Sequence, residues 1–270
     1  MKIHLKRHFS LLLAVLLVLT MIPVSTIKVS AKATTVATTA KQTAKKADKK
    51  TTKKKTKKTK KAKKQITVFI AAGHQQRGIS STERLAPGSS RRKAKLTSGT
   101  AGVRTHIPEY KTNLAIAKAA KKELEKRGYK VIMLRTTNNC PLSNQQRTKK
   151  ANASGADIHI CIHCNASGAS AQGPLVCVPG SSRYVGKKIF NSSRKLGSCL
   201  LSSVAKAVNN RSHGTIRSDY YTTINWAKIP TMILECGFLT NSTEDRQLNS
   251  ASYQKKLAKG IANGVDKYFK

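Results

Sequence analysis

Three apolar, strand-like segments of this sequence end in a side chain that can bind a metal ion or carry a proton. His74, His163 and Glu235 each stand at, or just after, the end of such a segment. In open α/β sheets, ligands bind beyond the carboxyl ends of the strands. The three side chains are therefore predicted to meet at one edge of a sheet, although they are far apart in the sequence.

A second carboxylate, Glu109, stands at the start of a predicted helix. Two imidazoles and one carboxylate suit a catalytic Zn²⁺ ion with an open position for water. A further carboxylate can then act as general base on that water. These residue types predict a metal-assisted attack on an amide carbonyl, but their wide separation lacks the specificity of a local motif such as HExxH.

Each of these residues also has an interpretation that involves no chemistry. His74 could close a turn, His163 could be a hydrogen-bonded core histidine, and Glu109 could be a helix N-terminal charge favoured by the helix dipole. Glu235 is harder to explain in this way, since a carboxylate at the end of an apolar run is costly to bury without a partner. It is a functional candidate by default.

The sequence also allows a rival metal site that contains a thiolate. Cys161 and His163 share one face of a predicted strand, as does His159, because side chains alternate along a strand. We expect Cys161 to lie one step deeper in the sheet as a small buried packing residue. His159 is expected to lie too far back to reach the strand end.

Strand-like and helix-like segments alternate along residues 66–270. The predicted strands are 66–71, 130–134, 158–163, 175–178 and 231–235, and the predicted helices are 113–127, 143–153, 187–208 and 252–268. This alternation predicts a single α/β domain with a twisted, mainly parallel sheet that is flanked by helices on both faces. About 205 residues fit one such domain.

Residues 1–31 have the pattern of a signal peptide. A positively charged start precedes the apolar run 11–21, which is too short to span a bilayer comfortably, and Val29-Ser30-Ala31 offers a cleavage site. We therefore predict a secreted, cell-wall-associated protein with no stable membrane insertion after cleavage. An uncleaved membrane anchor is the alternative.

The formal net charge of +41 predicts an anionic partner. Residues 32–65 hold 15 Lys and one Asp, and residues 66–270 still carry +23. The segment 32–65 is predicted to be a disordered cationic linker, because it has too few large apolar residues to fold. Export and the lack of interleaved aromatic residues argue against nucleic acid, so anionic wall polymers are the predicted partner of the linker. The six Cys allow disulfides without proving them.

Four motifs, in this order, resemble the zinc-dependent N-acetylmuramoyl-L-alanine amidases of the amidase-3 type: AAGHQQ, PEYKTNLAIA, RTKKANASGADIHICIHCNA and IPTMILECGFLTN. The resemblance covers about residues 66–270. It implies a mixed α/β fold around a mainly parallel sheet. It also implies peptidoglycan as the substrate, cleaved at the amide between the lactyl group of N-acetylmuramic acid and L-alanine.

The resemblance also implies a role for each of the four side chains: His74, Glu109 and His163 would hold Zn²⁺, and Glu235 would be the catalytic base. Asn165 and the loop 220–226 are further candidates for contacts with glycan or peptide. The alternative is that Asn165 is a turn residue and that the loop is held by packing of its tryptophan.

The segment 77–105 departs from the family pattern, since it is long, basic and rich in Gly and Ser. Glu83 lies in it and is a rival for the second metal ligand. Glu109 is preferred because it abuts the Asn-Leu-Ala motif, as in the family. The segment is predicted to be either a loop that covers or inhibits the site or a plain solvated loop.

Three classes of function follow from these observations. The first is a secreted zinc amidase that acts on peptidoglycan in growth, separation or lysis. The second is a non-catalytic cationic wall-polymer binder with the same fold. The third is a secreted zinc peptidase that uses the same four groups on a simple peptide. The four retained side chains favour an enzyme.

Overall fold

A computed structural model describes residues 64–270 of the chain. The predicted signal peptide, 1–31, and all but the last two residues of the predicted linker, 32–65, lie outside the described residues. Within the described range, none of the helices combines the length and the apolar character that crossing a membrane requires.

Strands and helices alternate along most of the described chain. The strands are β1 Thr67–Ala72, β2 Ile79–Arg84, β3 Arg92–Leu96, β4 Lys130–Met133, β5 Ile158–Asn165, β6 Leu175–Val178, β7 Gly214–Arg217 and β8 Thr231–Phe238. The helices are α1 Glu109–Lys126, α2 Asn144–Ala153, α3 Gly186–Val208, α4 Thr222–Asn225, α5 Ser242–Leu248 and α6 Ala251–Phe269. Each strand and helix predicted from periodicity is present, and each end lies within four residues of its predicted position.

Six of the strands form one sheet in the order β4-β1-β5-β8-β6-β7, and β2 and β3 form a separate hairpin. The neighbours β4, β1, β5 and β8 are parallel, whereas β6 runs antiparallel to β8 and parallel to β7. The prediction of one α/β domain with a mainly parallel sheet is thus confirmed. The sheet places the carboxyl ends of β1, β5 and β8 side by side.

The two faces of the sheet have separate apolar cores. On β5, Ile158, Ile160 and Ile162 belong to the larger core, which α1, α3 and α6 cover. The intervening residues face the smaller core, to which Cys161 contributes and which α2 and α4 cover. Because side chains alternate along a strand, His163 lies on this second face.

Helix α1 begins at Glu109, four residues before the predicted start at 113. Pro108 occupies the N-cap position in an extended conformation, and Glu109 is the acidic residue of the first turn. A carboxylate at this position is favoured by the helix dipole. The earlier start matters because it fixes Glu109 on a rigid element instead of on a loop.

The segment 77–105, which was predicted to be a loop, contains the hairpin of β2 and β3. The sequence conceals these strands, because most of their residues are exposed and charged or hydroxylated and carry no apolar alternation. Cross-strand pairing and docking onto the rest of the domain stabilise the hairpin, and periodicity does not report either.

Helices α3 and α6 approach each other closely. A Cβ atom added at Gly264 would lie 2.7 Å from the Cα atom of Leu200, and one at Gly260 would lie 2.7 Å from the Cα atom of Val204. Real Cβ atoms do not come so close to backbone atoms. The two glycines therefore set the distance between the helices.

We predict that Gly264→Ala lowers the free energy of unfolding by about 1–3 kcal/mol, because overpacking outweighs the better helix propensity of alanine. Urea unfolding measures the change. Lys259→Ala, on an exposed position of the same helix, is the control and should stay within about 0.5 kcal/mol of wild type. A Gly264→Ala protein as stable as the control would contradict the close packing.

His159 is fully buried in β5, with its ring edge-on to Phe69 at a centroid distance of 5.3 Å. Its Nε2 atom has no hydrogen-bond partner among the described residues. Burial lowers the pKa of His159 to about 3 from an ordinary value of 6.5. As expected from the sequence, this imidazole lies in the interior and not at the strand end.

The buried imidazole predicts a loss of stability in acid. Between about pH 6.5 and pH 3 the unfolded chain binds a proton at His159 that the folded chain does not, so stability falls as the pH drops through this window. The full contribution is on the order of 5 kcal/mol. His159→Leu should flatten this part of the curve in urea titrations at pH 7 to 4, whereas His106→Asn, at an exposed position, should not. Parallel curves for wild type and His159→Leu would refute the assignment.

Candidate active site

The carboxyl ends of three adjacent strands bring the predicted site residues together. His74 follows β1, and the Cα atoms of His163 and Glu235 are register partners on β5 and β8. Glu109 reaches the same place from the first turn of α1. Four residues that span most of the folded sequence thus converge at one edge of the sheet.

Three of them form a compact cluster. One ligand atom each of His74, Glu109 and His163 lies within 4.8 Å of the other two. The Nε2 atom of His74 is 3.2 Å from Oε2 of Glu109, and the Nδ1 atom of His163 is 3.1 Å from Oε1. Both carboxylate oxygens therefore face an imidazole nitrogen.

The carboxylate of Glu109 is held from several sides, and the residue is only 3% exposed. The backbone N–H groups of Thr100 and Cys164 and the side-chain amide of Asn113 donate to it. Burial alone would raise the pKa of Glu109, but hydrogen bonds and charge from His163 and His74 lower it well below its ordinary value. Glu109 is therefore an anion that cannot turn away from the cluster.

His74 is oriented by its other ring nitrogen, because Nδ1 lies 2.7 Å from the carbonyl oxygen of Thr97. A hydrogen bond of this kind selects the tautomer whose Nε2 carries a free lone pair, as is usual for metal-binding histidines. The backbone of His74 has a φ of 54°, in the left-handed region. Such a conformation in a residue other than glycine persists where the surroundings enforce it.

Two buried arginines help to enforce this turn by donating to main-chain carbonyls. Arg135 donates to the carbonyl oxygens of Ala72 and Gly73, and Arg147 donates to that of His74 at 3.1 Å. Sequence reasoning missed both residues, since nothing in their local pattern distinguishes them from surface arginines. Only the fold shows that their guanidinium groups point inward.

Gly73 lies so close to the ring of His163 that no side chain fits at this position. A Cβ atom at this position would lie 2.2–2.5 Å from three ring atoms of His163. Any larger residue would therefore displace the imidazole.

The side chain of Glu235 has an unsatisfied oxygen atom. Its Oε2 atom is buried and has no hydrogen-bond partner among the described residues. Burial raises the pKa of Glu235 to about 8, and the charge of Glu109 adds to the rise. Two carboxylates in one site whose pKa values are pushed in opposite directions are typical of an acid–base pair with separate tasks.

The residues present fit a metal ion of the zinc type. Two imidazole nitrogens and one carboxylate are nitrogen and oxygen donors of the kind that Zn²⁺ binds at catalytic sites. Glu235 lines the same cavity as His74 and His163. A carboxylate placed beside, and not within, the three-residue cluster is suited to move a proton near a bound ion.

This cavity has a volume of about 210 Å³ and opens to solvent. Besides the histidines and Glu235, its wall includes residues of β3 and the following loop, of α2 and of α4 with the preceding loop: Lys93, Leu96, Thr97, Asn144, Tyr221, Thr222 and Thr223. Of the predicted contact loop 220–226, Tyr221, Thr222 and Thr223 thus line the cavity.

The other candidates from the sequence lie elsewhere. Asn165 ends β5, and its Oδ1 atom accepts a hydrogen bond from the backbone N–H of Ala166, as in a turn. The ring nitrogen of Trp226 donates to the carbonyl oxygen of Arg84 on the hairpin. Glu83 is buried away from the cluster and accepts a hydrogen bond from the backbone N–H of Gln145. All six cysteines lie within the described residues and are free and buried.

Comparison with known proteins gives one family. The family model described as N-acetylmuramoyl-L-alanine amidase, of the amidase-3 type, matches residues 68–267. An uncharacterized protein of Bacillus subtilis, YqiI, is 33% identical over 157 residues, which are 58% of this chain and 72% of that protein. The N-acetylmuramoyl-L-alanine amidase LytC of Bacillus subtilis is 28% identical over 163 residues, 60% of this chain but 31% of that enzyme.

Solved structures share the fold. The crystal structure of an N-acetylmuramoyl-L-alanine amidase from Clostridium difficile 630 aligns with a TM-score of 0.62 at 28% identity, over 76% of this chain and 97% of that chain. An amidase from Mycobacterium smegmatis aligns with a TM-score of 0.67 over 75% of this chain and 96% of that chain. At 20% identity the second similarity bears on the fold alone.

We predict that Gly73→Ala lowers the affinity for a divalent ion by about 10- to 100-fold, because the new methyl group displaces the ring of His163. Competition between the protein and a chromogenic chelator, with Zn²⁺ as the probe, measures the affinity. Gly168→Ala is the matched control, since a Cβ atom there would meet open space. Equal affinities in the two variants, with folding intact by circular dichroism, would argue against a metal site beside Gly73.

Proposed function

Because the chain belongs to the amidase-3 family of N-acetylmuramoyl-L-alanine amidases, we propose that it hydrolyses peptidoglycan at the amide bond between the lactyl group of N-acetylmuramic acid and L-alanine. The observation that carries the proposal is the pairing of three possible metal ligands with Glu235, whose Oε2 atom is buried and has no hydrogen-bond partner among the described residues. An open cavity joins the two and leaves room for a substrate.

In this proposal His74, Glu109 and His163 hold a Zn²⁺ ion. When bound, the ion supplies Lewis-acid polarisation of the amide carbonyl and activation of water. The buried carboxylate of Glu109 offsets part of the positive charge at the site. The hydrogen bond between His74 and the carbonyl oxygen of Thr97 keeps the other nitrogen of the imidazole aimed inward.

Glu235 is the proposed general base. Its Oε2 atom takes the proton from the attacking water and later delivers it to the amine of the departing alanine. A carboxyl group whose pKa is raised toward neutrality can both accept and return a proton near pH 7. The position of Glu235 outside the metal-binding cluster leaves Oε2 free for this exchange.

The remaining parts of the proposal concern where the enzyme works. Residues 1–31 would direct export, and residues 32–65, with 15 Lys, would tether the enzyme to anionic polymers of the cell wall. The high positive charge of the folded part supports an anionic environment for the enzyme. Asn165, which ends β5 and does not line the cavity, stays a candidate for substrate contact.

We predict that Glu235→Gln lowers kcat by about 100- to 10,000-fold, because the amide cannot accept the proton. The measurement is release of soluble peptide from purified peptidoglycan, together with the zinc content of the protein. The variant should keep a full complement of zinc, and chelation should stop release by wild type. Glu125→Gln, on an exposed turn of α1, is the control and should be fully active.

The products separate the proposed activity from its rivals. Amidase action creates new amino groups on L-alanine and leaves the bonds within the peptide intact, whereas a peptidase cuts those bonds. Wall binding without zinc and without release would instead identify a non-catalytic binder. Normal turnover in Glu235→Gln would remove this residue from its assigned role.

A further inference from the structure

One basic side chain that the proposed chemistry does not use lines the candidate active site. Lys93, on strand β3 of the hairpin, lines the same cavity as His74, His163 and Glu235. It is the one lysine or arginine among the described residues that line this cavity. Its position depends on the hairpin that the sequence did not reveal.

Hydrogen bonds hold the hairpin against the rest of the domain. They fix the position of β3, the strand that carries Lys93. The buried carboxylate of Glu83, the register partner of Lys93, accepts a hydrogen bond from the backbone N–H of Gln145 in α2 at 3.0 Å. The amide group of Asn225 in α4 donates to the carbonyl oxygen of Leu85 at 3.3 Å. The hairpin is thus attached to both helices that cover this face of the sheet.

The ammonium group of Lys93 is oriented by one neighbour. It donates to the carbonyl oxygen of Tyr220 at 3.1 Å and lies 4.0 Å from the centroid of the Tyr220 ring, against which Arg91 also packs at 5.1 Å. Partial burial lowers the pKa of Lys93, and the positive charge of Arg91 lowers it further.

No carboxylate neutralises this group. Within residues 64–270, no Asp or Glu oxygen lies within 4.0 Å of the Lys93 ammonium. A half-buried cation beside a second cation is unfavourable until an anion binds. The arrangement is therefore typical of a receptor for a negatively charged group of the ligand.

The proposed substrate offers an anion on one side only of the bond to be cut. The lactyl carboxyl group is consumed in the amide, so free carboxylates close to this bond belong to the peptide. We propose, resting on the amidase function above, that Lys93 binds the free α-carboxylate of the residue that follows L-alanine. Lys93 is then a specificity-determining residue that favours stem peptides with a free carboxylate over those with a carboxamide.

Two matched muropeptides test this inference, one with γ-linked D-glutamate and one with D-isoglutamine after L-alanine. Wild type should show a kcat/KM about 10-fold higher for the carboxylate than for the carboxamide. Lys93→Met, which keeps the aliphatic stem against Tyr220, should abolish this preference through KM, with kcat nearly unchanged. Lys93→Arg should retain the preference.

The control removes the same charge two residues away. Lys95 lies on the same strand but does not line the cavity, so Lys95→Met should discriminate between the substrates as wild type does. Persistence of the preference in Lys93→Met, an equal loss for both substrates, or the absence of any preference in wild type would overturn the assignment.

A second measurement separates this inference from the amidase proposal. Calorimetric titration of the free peptides L-alanyl-γ-D-glutamyl-L-lysine and L-alanyl-D-isoglutaminyl-L-lysine needs no turnover. Tighter binding of the first peptide, lost in Lys93→Met, supports the role of Lys93 whatever the activity. An active wild-type enzyme that binds both peptides equally would refute Lys93 and leave the amidase proposal standing, whereas an inactive zinc-loaded enzyme would refute the amidase proposal itself.

Discussion

The burial of one charged carboxylate, that of Glu109, is the constraint on which this site depends. A carboxylate that is 3% exposed is tolerated only when polar partners surround it. Main-chain N–H groups, an asparagine amide and two imidazoles provide these partners. Because the partners come from the turn after β1, from β5, from α1 and from the loop before α1, the anion fixes the relative positions of four parts of the fold.

The same anion shapes the chemistry of its neighbours. It faces both imidazoles, and its charge adds to the burial that raises the pKa of Glu235. Glu109 is thereby kept charged for binding, whereas the pKa of Glu235 is raised to about 8, close enough to neutral pH for proton transfer. Arg135 and Arg147 stabilise the turn that presents His74, because they donate hydrogen bonds to its main-chain carbonyl groups. Hydrogen bonds within the protein thus position His74 and Glu109, as catalysis by fixed groups requires.

The hairpin gives the site its outer wall. Its strands are too exposed to be stable alone, but Glu83 fastens it to the first turn of α2, and Asn225 fastens it to α4. Docking makes a basic, Gly- and Ser-rich segment part of the cavity, because Lys93, Leu96 and Thr97 line it. Glu83, considered from the sequence as a rival metal ligand, is a structural anchor instead.

The sequence by itself determined the layered α/β fold and the four residues that meet at the strand ends. Apolar periodicity and helix signals are local properties, and the parallel strands place His74, His163 and Glu235 on one edge whatever the details. Tertiary structure alone decided the hairpin, the inward-pointing arginines and the location of Lys93 in the cavity. These features depend on hydrogen bonds and packing between distant segments, for which polar, exposed-looking residues give no local signal.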